Sequence, residues 1–142
     1  MAELPKEGGT IEVWGDGLQT RSFLFVDECG EATYRLVQSD FTGPVNIGSE
    51  EMVSINGLVD IAAKVSGKEV EKNHIDGPLG VRGRNSNNDL IKEKLDWNYT
   101  MTLEEGIKKT YDWINENQMG NKPEVEEPKL NPISRVMKSM DR

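Results

Sequence analysis

The chain has 142 residues, of which 35% are hydrophobic and 30% charged, and its formal net charge is −8. That acidic balance argues against nucleic acid or an anionic membrane as a partner, although a few local arginines can still outweigh a distant net charge for a small anion. No run of 18 apolar residues spans a bilayer, Met1-Ala-Glu-Leu-Pro5 lacks the parts of a signal peptide, and the one cysteine forms no internal disulfide, so a single-domain cytoplasmic protein is expected.

In chain order, residues 1–9 read as a flexible lead-in. Ile11 and Val13 alternate within a strand over 10–14, and Gly15-Asp16-Gly17 marks a tight turn. Ser22 to Val26 reads as an extended, mostly buried segment. Asp27 is the expected N-cap of a helix to about residue 38, with Cys29, Ala32, Thr33, Leu36 and Val37 at helical spacing. Pro44-Val-Asn-Ile-Gly48 suggests a short strand, followed by a loop at Ser49-Glu50-Glu51. Ser54 is expected to cap a second helix that Gly67 ends. Glu69–Ile75 alternates as an edge strand would, and 76–85 is a loop with two arginines. A short helix is expected from about residue 88 or 89 to Leu95, closed by Trp97. Thr102-Leu-Glu-Glu105 is a capping box that opens a helix over about 103–117, with Leu103, Ile107, Tyr111 and Ile114 on one face. The prolines at 123, 128 and 132 predict a linker over 119–131, and 133–140 a short amphipathic helix. The pattern is α/β: a small mixed sheet with three to four helices.

Few residues carry recognisable chemistry. Gly15-x-Gly17-x-x-Thr20 follows a strand, as a dinucleotide loop does, but it leads into an extended segment and not a helix, so a turn is the better reading. Arg21, Arg82 and Arg84 are the polar candidates, because guanidinium groups make bidentate bonds to phosphate oxygens. They wrap a diphosphate, or they are solvated and paired with some of the 25 acidic residues, and spacing alone favours the second reading. Cys29 reads as a small buried residue, His74 has no evident partner, and Asp27 and Glu28 point apart as helical neighbours do. One His and one Cys make no zinc set. Trp97, Tyr111 and Trp113 read as packing residues.

The strings W-G-D-G-L-Q-T-R-S-F-L-F-V-D-E-C (14–29), P-V-N-I-G-S-E-E-M-V-S-I-N (44–56), G-V-R-G-R-N-S-N-N-D-L-I-K-E-K-L-D-W (80–97) and Y-D-W-I (111–114) occur in that order. Over residues 11–117 the chain resembles the C-terminal part of the GDP-mannose 3,5-epimerases. These are NAD-dependent enzymes of the extended short-chain dehydrogenase/reductase family of nucleotide-sugar epimerases and dehydratases. The resemblance implies the substrate-binding half of that fold without its Rossmann cofactor domain. It places Gln19, Thr20, Arg21 and Arg84 on the nucleotide diphosphate, with Arg82 as a further contact in the same loop. It makes 1–118 a nucleotide-sugar-binding domain, while 119–142 lie outside it and read from composition as a polar, Pro-containing linker with a possible short helix. It also implies that the family's catalytic cysteine and lysine lie upstream. No Tyr-x-x-x-Lys occurs: Tyr34, Tyr99 and Tyr111 are followed four residues on by Gln38, Leu103 and Asn115. The chain is therefore expected to bind a nucleotide-sugar without catalytic residues or NAD of its own, and to need an NAD-domain chain for activity. The alternative is a stand-alone binding or oligomerisation module that reuses this half-fold. Either way, an apolar face of the helix after Asp27 needs cover, from a homo-oligomer, an NAD-domain chain or residues 133–140 folded back.

Overall fold

In the computed structural model, residues 1–78 and 80–118 are described. The predicted linker and the 133–140 helix lie outside them. Five strands and four helices follow one another as β1 (Gly8–Trp14), β2 (Thr20–Ser22), α1 (Val26–Gln38), β3 (Met52–Ser54), α2 (Ile55–Ser66), β4 (Glu69–Ile75), β5 (Gly83–Arg84), α3 (Asp89–Leu95) and α4 (Leu103–Gln118). The α/β class and the four helices match the sequence, but the strands form two small sheets and not one. β1 pairs in parallel with β4, from Gly8↔Glu69 to Trp14↔Ile75. β2 lies between β3, antiparallel, and β5, parallel.

The cores are small. Ala32, Ile91 and Trp97 are buried, with Leu24, Val45, Ile47, Leu95 and Tyr99 packed around them. α2 packs on α4 and on β4. Between residues 23–25, α2 and α4 lies an open apolar cavity of 390 Å³. No helix of the described residues is long and apolar enough to cross a membrane.

Several local expectations hold. The Ser54 hydroxyl accepts from the Gly57 N–H at 3.0 Å, and Gly67 ends α2 in the left-handed region. The capping box forms reciprocally: Glu105 accepts from Thr102 N at 2.9 Å, and Thr102 Oγ1 from Glu105 N at 3.3 Å.

Other expectations are corrected. Asp27 is not the N-cap of α1. The helix starts at Val26 with Phe25 in the cap position and no side-chain cap, and Asp27 is an exposed first-turn residue. The buried side of α1 is Glu28 and Ala32, while Cys29, Thr33 and Val37 are exposed. Helical spacing alone could not tell the two sides apart, because both carry small or apolar residues. The stretch 22–26 is less buried than its composition suggests: Phe23 is 42% exposed and Val26 71%. Pro44–Gly48 forms no strand. The sheet position beside β2 is taken by β3, within a stretch that read as loop and helix cap, and Val45 and Ile47 instead pack as core. β5 forms inside the stretch that read as loop. Residues 1–4 are held by Lys68 Nζ, which donates to Met1 O at 3.1 Å and Leu4 O at 2.6 Å, and β1 begins at Gly8. Trp113 is 60% exposed.

Carboxylates organise the lower half. Glu50 Oε1 accepts from Asn88 N at 3.1 Å and Glu51 Oε2 from Leu103 N at 2.9 Å, so adjacent acids hold the N-termini of α3 and α4. Glu28 Oε1, buried on α1, accepts from Thr100 N at 2.5 Å, Thr100 Oγ1 at 3.0 Å and Met101 N at 3.0 Å.

Glu28→Ala is expected to lower the unfolding free energy by about 1–3 kcal/mol, because two part-buried N–H groups lose their acceptor. Glu31→Ala, which removes only the exposed ion pair with Arg35, is expected to cost about 0.5 kcal/mol or less. Urea titration of both variants checks this, and equal losses would refute the role assigned to Glu28. The Thr102 N–H, then the Thr102 hydroxyl, holds the Glu105 carboxyl below its ordinary value of 4.5. Its contribution is therefore present above the unfolded value and is lost as pH falls through the lowered folded one.

Candidate functional site

The site begins at the turn between β1 and β2. Gly15 N donates to Ile75 O at 2.8 Å, tying the turn to β4. Gly17 takes φ 67°, and a Cβ there would lie 2.2 Å from Asn56 Oδ1, so only glycine fits. Asn56, in the first turn of α2, fills the curve: its N donates to Gly17 O at 3.0 Å and its Nδ2 to Asp16 O at 3.0 Å. With Nδ2 as donor, Asn56 Oδ1 is the acceptor for His74 Nε2 at 2.9 Å. His74 thus has a partner after all, and that partner belongs to the turn.

From this turn the chain enters β2. Gln19 is buried and donates through Nε2 to Trp14 O at 3.2 Å, so it braces the turn. Thr20 N donates to Arg82 O at 2.9 Å. Arg21 Nη1 donates to Thr20 O and Val81 O, each at 2.7 Å. In the parallel β2–β5 ladder Arg21 is the register partner of Arg84. Both line a cleft of 380 Å³ that also contains Ser22, Leu24, Asn46, Ile47, Ser49 and Ser86. Among the described residues the Arg84 side chain has no hydrogen bond or ion pair. The structure therefore brings Arg21 and Arg84 together. It directs Gln19 toward the turn, and it places Arg82 on Asp16, at 3.0 Å from Oδ2 and 3.3 Å from Oδ1. The Leu18 N–H, then Arg82, holds the Asp16 carboxyl below its ordinary value.

Asn46, Ser49 and Ser86 were not singled out in the sequence. Asn46 sits between the apolar Val45 and Ile47, whose burial turns them toward the core. Ser49 and Ser86 meet because Gly48 lets the two segments touch: a Cβ on Gly48 would lie 2.7 Å from Ser86 Cβ. Asn88 Nδ2 donates to Gly48 O at 2.7 Å and holds the approach.

Chemically, two arginines at one register position and several neutral polar side chains suit an anion with more than one charged oxygen. The described residues contain no group of three or more His, Cys, Asp or Glu that could hold a metal ion. The Gly15–Gly17 turn does not fit a dinucleotide pyrophosphate. It opens a strand where that site needs a helix N-terminus, and Asn56 occupies its concave side.

No protein-family model matches the chain. It is 59% identical over 106 residues to GDP-mannose 3,5-epimerase 1 of Oryza sativa subsp. indica, covering 75% of this chain and 28% of that protein. It is 52% identical over 127 residues to GDP-mannose 3,5-epimerase of Arabidopsis thaliana, covering 89% of this chain and 34% of that protein. Among solved structures, the UDP-glucose 4-epimerase of Thermotoga maritima with UDP-glucose superposes with a TM-score of 0.72 at 26% identity, over 75% of this chain and 35% of that one. The Bacillus cereus UDP-glucuronic acid 4-epimerase in complex with UDP-glucuronic acid and NAD gives a TM-score of 0.69 at 27% identity, with the same coverage. The chain thus spans about a third of the length of the relatives it matches.

Gly48→Ala is expected to lower stability by about 1–3 kcal/mol through overpacking against Ser86. The same substitution at Gly30, where a Cβ meets nothing within 4 Å, is expected to leave stability unchanged or raise it. Thermal unfolding distinguishes the two, and a harmless Gly48→Ala would show that the approach of Gly48 to Ser86 is not tight.

Proposed function

We propose that this chain, a homologue of the GDP-mannose 3,5-epimerases in the extended short-chain dehydrogenase/reductase class, grips the diphosphate of a GDP-sugar between Arg21 and Arg84. The carrying observation is the register pairing of these two arginines at one cleft. Charge-assisted bonds from two guanidiniums match the oxygens of a diphosphate, and Asn46, Ser49 and Ser86 supply neutral partners beside them. Relatives of the same fold hold UDP-glucose, or UDP-glucuronic acid with NAD, and this reading takes its ligand class from them. Gln19 and Thr20 serve by shaping the turn and strand. The chain supplies binding and orientation. The oxidation that acidifies the sugar carbons, which NAD provides in the family, and the proton transfers that invert them are left to residues outside this sequence.

A second observation bears on partners. The outer face of α1 shows Val26 71%, Tyr34 66% and Val37 72% exposed. Large apolar side chains exposed along one helix support an interaction surface there. It suits an NAD-domain chain, and in the alternative reading, an oligomerisation module, it suits a second copy.

Arg21→Ala and Arg84→Ala are each expected to weaken binding of GDP-mannose by about tenfold or more, as the loss of a charge-assisted pair implies. Calorimetric titration checks this, and wild-type affinity in both variants would remove the cleft from the account. Val37→Asp is expected to leave that affinity unchanged and to shift the mass measured by light scattering toward the monomer. A wild-type chain that is monomeric at every concentration would contradict the homo-oligomer.

A further inference from the structure

β5 is two residues long, with two register pairs to β2, which is too little to hold itself in place. Yet the position of Arg84 depends on it. Among the described residues, three polar contacts hold residues 81 and 82, just before β5: Thr20 N to Arg82 O, Arg21 Nη1 to Val81 O, and the Arg82 guanidinium to Asp16. The first two come from β2 itself, and the second uses the guanidinium of Arg21, a residue of the cleft. The third joins the segment to the turn between β1 and β2 and involves neither Arg21 nor Arg84.

Asp16 is unusually well anchored for a turn residue. Its Oδ1 accepts from Leu18 N at 2.9 Å, its carbonyl accepts from Asn56 Nδ2 at 3.0 Å, and the turn is tied to β4 through Gly15. Its carboxyl is held below the ordinary range by the Leu18 N–H and then by Arg82, so it keeps its charge at neutral pH.

We propose that Asp16 and Arg82 form a latch that sets β5 on β2 and so places Arg84 beside Arg21, which makes Arg82 a positioning residue and not a ligand contact. Its effect on binding rests on the diphosphate reading above, but the latch itself does not. Both partners are about half exposed, so the ion pair is weak, and its effect is that of one strap on a very short strand.

The test uses the full chain and the variants Asp16→Asn, Arg82→Gln and the double variant. Asparagine keeps an acceptor for Leu18 N and removes only the charge. GDP affinity is measured by calorimetry, and the rate of tryptic cleavage after Arg84 is followed by mass spectrometry without ligand. Each single variant is expected to weaken GDP binding by about 2–5-fold and to speed the cut by a similar factor. The double variant is expected to be no worse than either single one, since both remove the same contact, and Arg82→Lys is expected to restore much of the loss. The latch is overturned if Arg82→Gln weakens binding while Asp16→Asn does not, or if the two losses multiply, because Arg82 then acts on the ligand. If the unmodified chain binds no GDP, the diphosphate reading fails and cleavage alone decides: a faster cut in both single variants supports the latch, and an unchanged rate refutes it.

Discussion

Asn56 inside the curve of Gly15–Gly17 is the contact on which the rest depends. β1 and β2 belong to different sheets, and the turn between them is their covalent link. Asn56 bonds the backbone of Gly17 and Asp16 and receives His74 from β4. One side chain at the start of α2 thereby relates the β1–β4 sheet to the β3–β2–β5 sheet. Both polar atoms of its side chain have partners. The anchoring of Asp16 follows from it.

The acids explain how so little core sustains a fold. Few residues are buried, and the apolar cavity beside α2 and α4 is open. Glu28, Glu50 and Glu51 each reach a backbone N–H of a distant segment. Part of the excess negative charge is therefore internal wiring. This also narrows the meaning of the composition: the acidic balance says little about the ligand, because the cleft is lined by arginine and neutral side chains.

The helices were legible because their signals are local. Ser54, Gly67 and the Thr102–Glu105 box act within one helical turn of the residues they cap. The short strands were not. β3 and β5 have three and two residues, below the length at which alternation is visible, and they exist only through pairing with β2. Pro44–Gly48 failed for the opposite reason, since its residues suit a strand but the neighbouring position was taken. In the site, resemblance pointed to five residues. The structure sorts them by what each side chain touches: Arg21 and Arg84 at the cleft, Gln19 in the turn, Arg82 on Asp16, and Thr20 in the ladder. That division needs tertiary contacts between residues about 60 positions apart, such as Arg21 with Val81, which no spacing rule reports.

The proposed role of the cleft is recognition of a diphosphate. The most direct measurement is a calorimetric comparison of GDP with GMP on the full chain at one ionic strength. GDP is expected to bind about tenfold or more tighter than GMP, because the second phosphate lets both guanidiniums engage. Equal affinities for the two, or binding of neither, would contradict it.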